Sequence, residues 1–85
     1  MQMLIIVHLN ENLSFAKWEE VYLGDADKRA NFMKDDMYAQ ASEKQIMLKF
    51  TVTNPEAMNA HMAASAPIFE ELGIQHDVFI LTPAE

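Results

Sequence analysis

The chain has 85 residues, no cysteine and a formal charge of −7 at neutral pH. A chain of this length buries only about 60–65% of the surface that its unfolded form exposes, and without cysteines it has neither disulfides nor thiolate metal sites to stabilise it. The negative charge disfavours binding to nucleic acids and to anionic membranes. Self-association therefore remains as the expected source of additional stability.

The first predicted element is a strand, β1, over Gln2–Leu9. This segment is a continuous run of mostly branched apolar residues that ends at Asn10-Glu11-Asn12, which is typical of a central strand buried on both faces. The run is about half the length of a membrane span, and it lacks a preceding basic segment and a following small-residue cleavage site. We therefore expect a buried strand and a cytoplasmic protein.

A helix is predicted next, with Ser14 as its N-cap. Apolar residues then recur at helical spacing, at Phe15, Trp18, Val21 and Tyr22. Gly24 and Asp25 interrupt this pattern. Residues 26–32 are expected either to continue the helix or to form a separate helical turn.

Two strands joined by a polar turn follow the first helix. Met37–Ala41 alternates and predicts an edge strand, β2, and Ser42–Gln45 predicts the turn. Gln45–Thr53 alternates more clearly and predicts the strand β3. One face of β3 carries Ile46, Leu48, Phe50 and Val52, and the other carries Met47, Lys49, Thr51 and Thr53.

The last two elements are a long helix and a strand. Asn54 caps the helix, Pro55 occupies its first position and Gly73 supplies a left-handed C-terminal residue. Pro67 lies inside the helical pattern, so we expect a kink or a restart near residues 63–66. Ile74–Thr82 predicts the last strand, which Pro83 should stop.

This order of elements predicts an α+β domain of the ferredoxin-like βαββαβ type that spans residues 1–85. Both helices should cover one face of a four-stranded antiparallel sheet. The opposite surface of the sheet, which we call the open face, would carry Met47, Lys49 and one apolar set of β1 residues. Because a contiguous apolar surface rarely remains in water, we expect a homodimer through the open face.

The chain as a whole resembles the dimeric α+β barrel superfamily, with Phe15-x-x-Trp18 opening the first helix and the Pro55–Gly73 helix leading into the last strand. It is similar in particular to small bacterial, chiefly cyanobacterial, barrel proteins of unknown function. Their relatives include antibiotic-biosynthesis-type monooxygenases, haem-degrading monooxygenases and stress-responsive barrel proteins. The resemblance implies two sheets that pack face to face and enclose a pocket, but no catalytic signature of these families transfers residue by residue.

Four residues are candidates for a ligand site: His8, Tyr38, Lys49 and Trp18. His8 ends a buried strand and can carry a proton, Trp18 can stack on a flat ligand, and Lys49 on an apolar face needs an anion or a route to solvent. Three of them also have an ordinary structural explanation: His8 can be satisfied by a neighbour, Trp18 can be a core aromatic side chain, and Lys49 can reach solvent or an intersubunit ion pair.

The remaining titratable residues indicate no site. His61 has no second ligand one helical turn away, so no metal site is predicted. His76 and Asp77 are adjacent in a strand and point to opposite faces, so they cannot orient one another. Arg29 belongs to a charged turn and receives no role. With only two glycines, the chain offers no phosphate-binding loop, and no cofactor is expected.

Three functions remain open. The leading hypothesis is a dimer that binds a small, mostly apolar molecule between its sheets. The second is a cofactor-independent monooxygenase or isomerase, which requires at least two of His8, Tyr38 and Lys49 to converge in the pocket. The third is a structural or regulatory dimer whose interface is filled.

Overall fold

A computed structural model describes residues 1–82. The elements in chain order are β1 (Gln2–Leu9), α1 (Phe15–Gly24), α2 (Ala26–Arg29), β2 (Met33–Ser42), β3 (Gln45–Val52), α3 (Pro55–Leu72) and β4 (Ile74–Leu81). The predicted α+β class and the order of its main elements are confirmed. Pro83, the predicted stop of the last strand, lies outside the described residues.

The four strands form one antiparallel sheet in the order β2-β3-β1-β4. β1, predicted as a central strand, and β3 occupy the centre, and β2 lies at an edge as predicted. The helices cover one surface of this sheet, which we call the helix face. The buried set of β3 is the predicted one, and β1 contributes its own alternate residues to the same surface, at Met3, Ile5, Val7 and Leu9.

The open face carries the other alternate set of each strand. The sequence did not decide which side of β1 points outward, and the structure places Leu4, Ile6 and His8 there. Met37 and Met47 lie on the same surface and are exposed, as is Phe79 of β4. This surface is therefore apolar near its centre, as expected.

The first two helices begin and end at recognisable signals. Ser14 caps α1 by accepting a hydrogen bond from the backbone N–H of Lys17 at 3.1 Å. The helix stops at Gly24, and the backbone N–H of Asp25 donates to the carbonyl oxygen of Tyr22. Of the two alternatives for residues 26–32, the separate helical turn is the one observed, as α2.

β2 is longer than predicted. A bulge in its first half interrupts the alternation of side chains, so the sequence pattern does not indicate a strand there. Three residues of β3, from Thr51 to Lys49, face four of β2, from Lys34 to Met37. Asp35 lies in this bulge with φ of 55°, a left-handed conformation that aspartate tolerates better than most residues. The extra residue reverses the alternation, so that Met33 and Tyr38 both face the helices.

α3 runs without a break from Pro55 to Leu72. The side chain of Asn54 caps it by accepting from the backbone N–H of Ala57 at 3.1 Å, and Gly73 ends it with φ of 73°. The predicted restart at Pro67 is wrong. Pro67 removes the hydrogen bond to the carbonyl of Ala63, but both residues are exposed, so water can satisfy that carbonyl.

Within residues 1–82, none of the helices has the length and apolar content needed to cross a membrane.

Candidate functional site

A cavity of about 80 Å³ lies on the helix face, between the sheet and its own helices. Strands β1, β3 and β4 form its floor with apolar residues such as Val7, Leu48 and Ile74. Helices α1 and α3 form its roof. The polar side chains along its wall are few, at Tyr22, Asp25, Arg29, His61 and His76. The cavity is therefore an apolar space with a small number of polar groups, which is the usual composition of a small-molecule site.

One wall of the cavity is a column of stacked planar groups. The rings of Trp18 and Tyr22 lie 4.9 Å apart with an interplanar angle of 14°, and Phe15 continues the stack at 6.0 Å from Trp18. The guanidinium carbon of Arg29 lies 3.5 Å from the centre of the Tyr22 ring. Tyr38 packs edge-on against Trp18 at 5.5 Å. This packing holds Trp18 and Tyr22 in fixed orientations beside the cavity.

Arg29 is buried, contrary to its expected place in an exposed charged turn. It donates to the carbonyl oxygen of Tyr22, and its Nη2 lies 3.9 Å from Oδ2 of Asp36. The hydroxyl of Tyr22 donates to the same Asp36 oxygen at 2.6 Å. Burial, followed by this hydrogen bond, raises the pKa of Tyr22 well above its usual range. The charge of Arg29 is thus already matched inside the protein.

Two histidines line the cavity from different elements. His61 of α3 lies 5.0 Å from the Phe32 ring, and His76 of β4 packs edge-on against Phe69 at 4.7 Å. The side-chain hydrogen bonds among residues 1–82 include none to either ring. Burial, with a smaller contribution from His8, lowers the pKa of His76 below its usual value, so this imidazole is neutral at pH 7.

The open face contains a separate polar pair. Nε2 of His8 lies 2.7 Å from Oδ2 of Asp77, and Nδ1 of His8 lies 3.4 Å from Nε2 of Gln45. His8 is opposite Gln75 in the sheet, so Asp77 is its diagonal neighbour on the same face. The sequence correctly excluded a pair between His76 and Asp77, but it missed the partner of Asp77 because the β1–β4 register is not visible in the sequence.

Lys49 also lies on the open face. It borders a shallow depression together with apolar residues of β1, β2 and β3, namely Leu4, Met37, Ala39 and Met47. Tyr38 borders the same depression between Met37 and Ala39, but its ring packs on the other side of the sheet. The ion pairs within the part of the chain that the structure describes do not include Lys49.

The four predicted site residues are thus divided between the two faces. Trp18 lines the cavity, and Tyr38 lies behind it with its hydroxyl bonded to Glu19 at 2.6 Å, which raises the pKa of Tyr38. His8 pairs with Gln45, four residues along β3 from Lys49, which separates the two by about 13 Å along the strand. A single chain does not bring the side chains of His8, Tyr38 and Lys49 together.

The polar groups that line the cavity could not be recognised from the sequence. Arg29 lies seven residues after Tyr22, but α1 ends between them, so helical spacing could not predict their contact. His61 and its neighbour Met62 both border the cavity from α3. For His76, alternation along β4 predicted only that its side chain and that of Asp77 lie on opposite faces of the sheet. Among residues 1–82, no three histidine or acidic side chains lie close enough to hold a metal ion.

Comparison with known proteins supports the fold alone. No protein-family model matches the chain, and a comparison with curated proteins finds no match. Among solved structures, the chain is similar to a Deinococcus radiodurans protein provisionally named as an antibiotic biosynthesis monooxygenase, with a TM-score of 0.59 and 10% identity. The match covers 100% of this chain and 96% of that one. The chain therefore has the ferredoxin-like α+β fold of that protein, in agreement with the resemblance seen in the sequence.

Proposed function

We propose that the protein binds a small, mostly apolar molecule in the helix-face cavity. The observation that carries this proposal is an aromatic-lined space of about 80 Å³ inside the core of a very small chain. Protein interiors are normally packed with few voids larger than a water molecule. The side chains around such a space lack packing partners on one side, and a ligand that fills it would supply those contacts.

The volume limits the size of the ligand. An engineered apolar cavity of about 150 Å³ in another protein holds one benzene molecule, so the present space is small for an aromatic ring. Three methionines line it, however, at Met33, Met58 and Met62. Methionine side chains are flexible and can change rotamer to enlarge a cavity. The ligand class is therefore a molecule of one small ring or less.

The homodimer expected from the sequence belongs to this proposal as well. Met37, Met47 and Phe79 leave large apolar side chains exposed on the open face, around the half-buried Leu4 and Ile6. A second copy that packs its sheet against this surface would remove it from water. The ligand space, in contrast, lies within one chain, whereas the sequence led us to expect it between two sheets.

Methionine methyl groups can report where a ligand binds, because they are distributed over both faces. In protein labelled with carbon-13 at the methionine methyls, addition of benzene or xenon should shift the signals of Met33, Met58 and Met62. The signals of Met37 and Met47, on the open face, should change little. Shifts confined to Met37 and Met47 would place the ligand between the sheets, and no shift at either set contradicts the proposal.

A cavity-filling substitution provides a matched control for this titration. Val21 lines the cavity from α1, whereas Leu23 on the same helix is 55% exposed. Val21→Phe should fill the space and abolish the benzene-induced shifts, and Leu23→Phe should leave them unchanged. Equal effects of the two substitutions would show that the shifts report something other than occupancy of the cavity.

A cofactor-independent monooxygenase is the second candidate function. The observation that favours it is the neutral imidazole of His76 beside an apolar cavity, where it can accept a proton from a bound substrate. The name of the Deinococcus radiodurans protein is consistent with this chemistry. Oxygen consumption with a phenolic substrate, present in the natural chain and lost in His76→Phe, would support the enzyme. Binding without oxygen consumption would contradict the enzyme and support only the binding proposal.

A further inference from the structure

The imidazole of His76 is an available polar group in an otherwise apolar part of the cavity. It projects from β4 opposite Val7, and both residues line the cavity together with the neighbouring Ile74. Phe69 covers the ring edge-on at 4.7 Å, which fixes its orientation without a hydrogen bond. The His76 nitrogens are not among the buried, unpartnered atoms of residues 1–82, so water still reaches them. A ligand that covers them must therefore supply a hydrogen bond in place of that water.

The charges around the cavity disfavour an ionic ligand. The guanidinium of Arg29 contacts the Tyr22 carbonyl, the Tyr22 ring and Asp36, which match its charge. Its Nε is buried and has no hydrogen-bond partner among residues 1–82. Asp25 lies on the same wall and repels anions. A carboxylate ligand would therefore meet no uncommitted cation. A neutral molecule fits this wall better.

The hydrogen-bonding capacity of a neutral imidazole further limits the class of ligand. One ring nitrogen donates and the other accepts, and the tautomer depends on the surroundings. A hydroxyl group can donate or accept, so it matches either tautomer, whereas a ketone oxygen can only accept. From this geometry we propose that the ligand is a small apolar molecule bearing one hydroxyl group, and that His76 is the specificity-determining residue that hydrogen-bonds to it. This inference rests on the proposed function, because it names the ligand class for the same cavity.

Benzene and phenol form a matched pair of probes, because they differ by one oxygen atom. The methionine methyl titration gives a dissociation constant for each, and the ratio of benzene to phenol constants measures the hydroxyl preference. His76→Phe replaces the imidazole by an apolar ring of similar shape. It should lower the ratio by about tenfold or more, since the phenol hydroxyl then loses its partner while benzene keeps its contacts.

Three further variants separate a hydrogen bond from a general loss of structure. His76→Gln retains a donor and an acceptor and should keep most of the phenol preference. His61→Phe should change the ratio less than His76→Phe. His8→Gln alters a histidine on the opposite face of the sheet, bonded to Asp77, and should leave the ratio unchanged.

The outcomes distinguish this inference from the proposed function. If benzene binds but phenol binds much more weakly in the natural chain, the hydroxyl inference is overturned and the apolar cavity stands. A ratio that falls in His61→Phe but not in His76→Phe overturns the assignment to His76. If neither probe shifts the signals of Met33, Met58 or Met62, the proposed function itself fails.

Discussion

The two faces of the sheet have the same apolar character but different structural roles. β1 supplies Ile5 and Val7 to the helix face and Leu4 and Ile6 to the open face, and all four are aliphatic. On the helix face these side chains are buried and enclose a cavity. On the open face they form part of a shallow, accessible surface. The apolar residues of a central strand therefore show that both faces of the sheet must be shielded from water. They do not show which face encloses a ligand-sized space.

The polar clusters of the two faces differ in the same way. On the helix face, Arg29, Tyr22 and Asp36 form a cluster in which the side chain of Arg29 is only 10% exposed. On the open face, the side chains of His8 and Asp77 are 34% and 60% exposed. A charge that loses its partner is costly only where water cannot replace that partner. The clusters should therefore respond very differently to equivalent substitutions.

Removal of a large side chain should give the largest difference between the faces. Phe50 is 1% exposed and lines the cavity, so Phe50→Ala should lower the free energy of unfolding by about 3–5 kcal/mol. Met47, 43% exposed on the open face, should lose less than about 1 kcal/mol on substitution by Ala, measured on dilute, monomeric protein.

Urea denaturation measures both changes. If Phe50→Ala does not fold at all, the milder Ile46→Val on the same strand should still cost about 1 kcal/mol, because Ile46 is fully buried. Similar losses for Phe50→Ala and Met47→Ala would contradict the assignment of the core to the helix face.

Neutralising one aspartate on each face tests the polar comparison. Asp36→Asn keeps an acceptor for the Tyr22 hydroxyl but leaves the charge of Arg29 unmatched, and should cost about 2 kcal/mol. Asp77→Asn removes the partner of His8 in an exposed pair and should cost about 0.5 kcal/mol or less. Urea denaturation at neutral pH compares the stability losses of the two variants. A larger loss for Asp77→Asn than for Asp36→Asn would mean that Arg29 is accessible to water.

Placing a charge on the open face tests the proposed dimer. Met47→Glu should weaken self-association by about tenfold or more, because each copy would bring a new charge into an apolar interface. Ile68 on α3 is also exposed, and Ile68→Glu should leave the association unchanged. Sedimentation at micromolar concentration measures both variants. A natural chain that is monomeric under these conditions would remove the dimer from the proposal.

The smallest expected effect is a pH dependence that comes from the helix face. Above the ordinary histidine pKa of 6.5 the His76 ring is neutral in both folded and unfolded chains. As the pH falls through 6.5, the unfolded chain takes up a proton before the folded chain does, so the free energy of unfolding declines. His76→Phe should make this decline smaller between about pH 6.5 and pH 5. An unchanged slope in urea denaturation would mean that His76 is not desolvated.

The sequence predicted those features of the fold that depend on local patterns. The period of two in β3 identified Ile46, Leu48, Phe50 and Val52 as the helix-facing set, and Ser14, Asn54 and Gly73 gave the helix boundaries. The length of β2 was underestimated because the bulge at Asp35 reverses its alternation.

The candidate site was predictable only for Trp18, because its other groups meet through tertiary packing. Arg29 reaches Tyr22 only after the chain turns at Asp25, and no spacing rule describes that turn. His76 reaches the cavity only if β4 pairs with β1 in the observed register. The volume of the cavity depends on how the helices pack onto the sheet, which a pattern of apolar residues does not specify.

The register of β4 is itself protected by the glycine that precedes it. A side chain at position 73 would overlap the amide group of Asn10, which follows β1, and Leu9 is the residue paired with Ile74. If β4 slid along β1 by one residue in either direction, Leu72 or Ile74 would have to adopt the left-handed conformation of Gly73 and displace the Asn10 side chain. The same shift would also move every side chain of β4 to the opposite face of the sheet. The glycine therefore favours the register that keeps the His76 side chain on the cavity side.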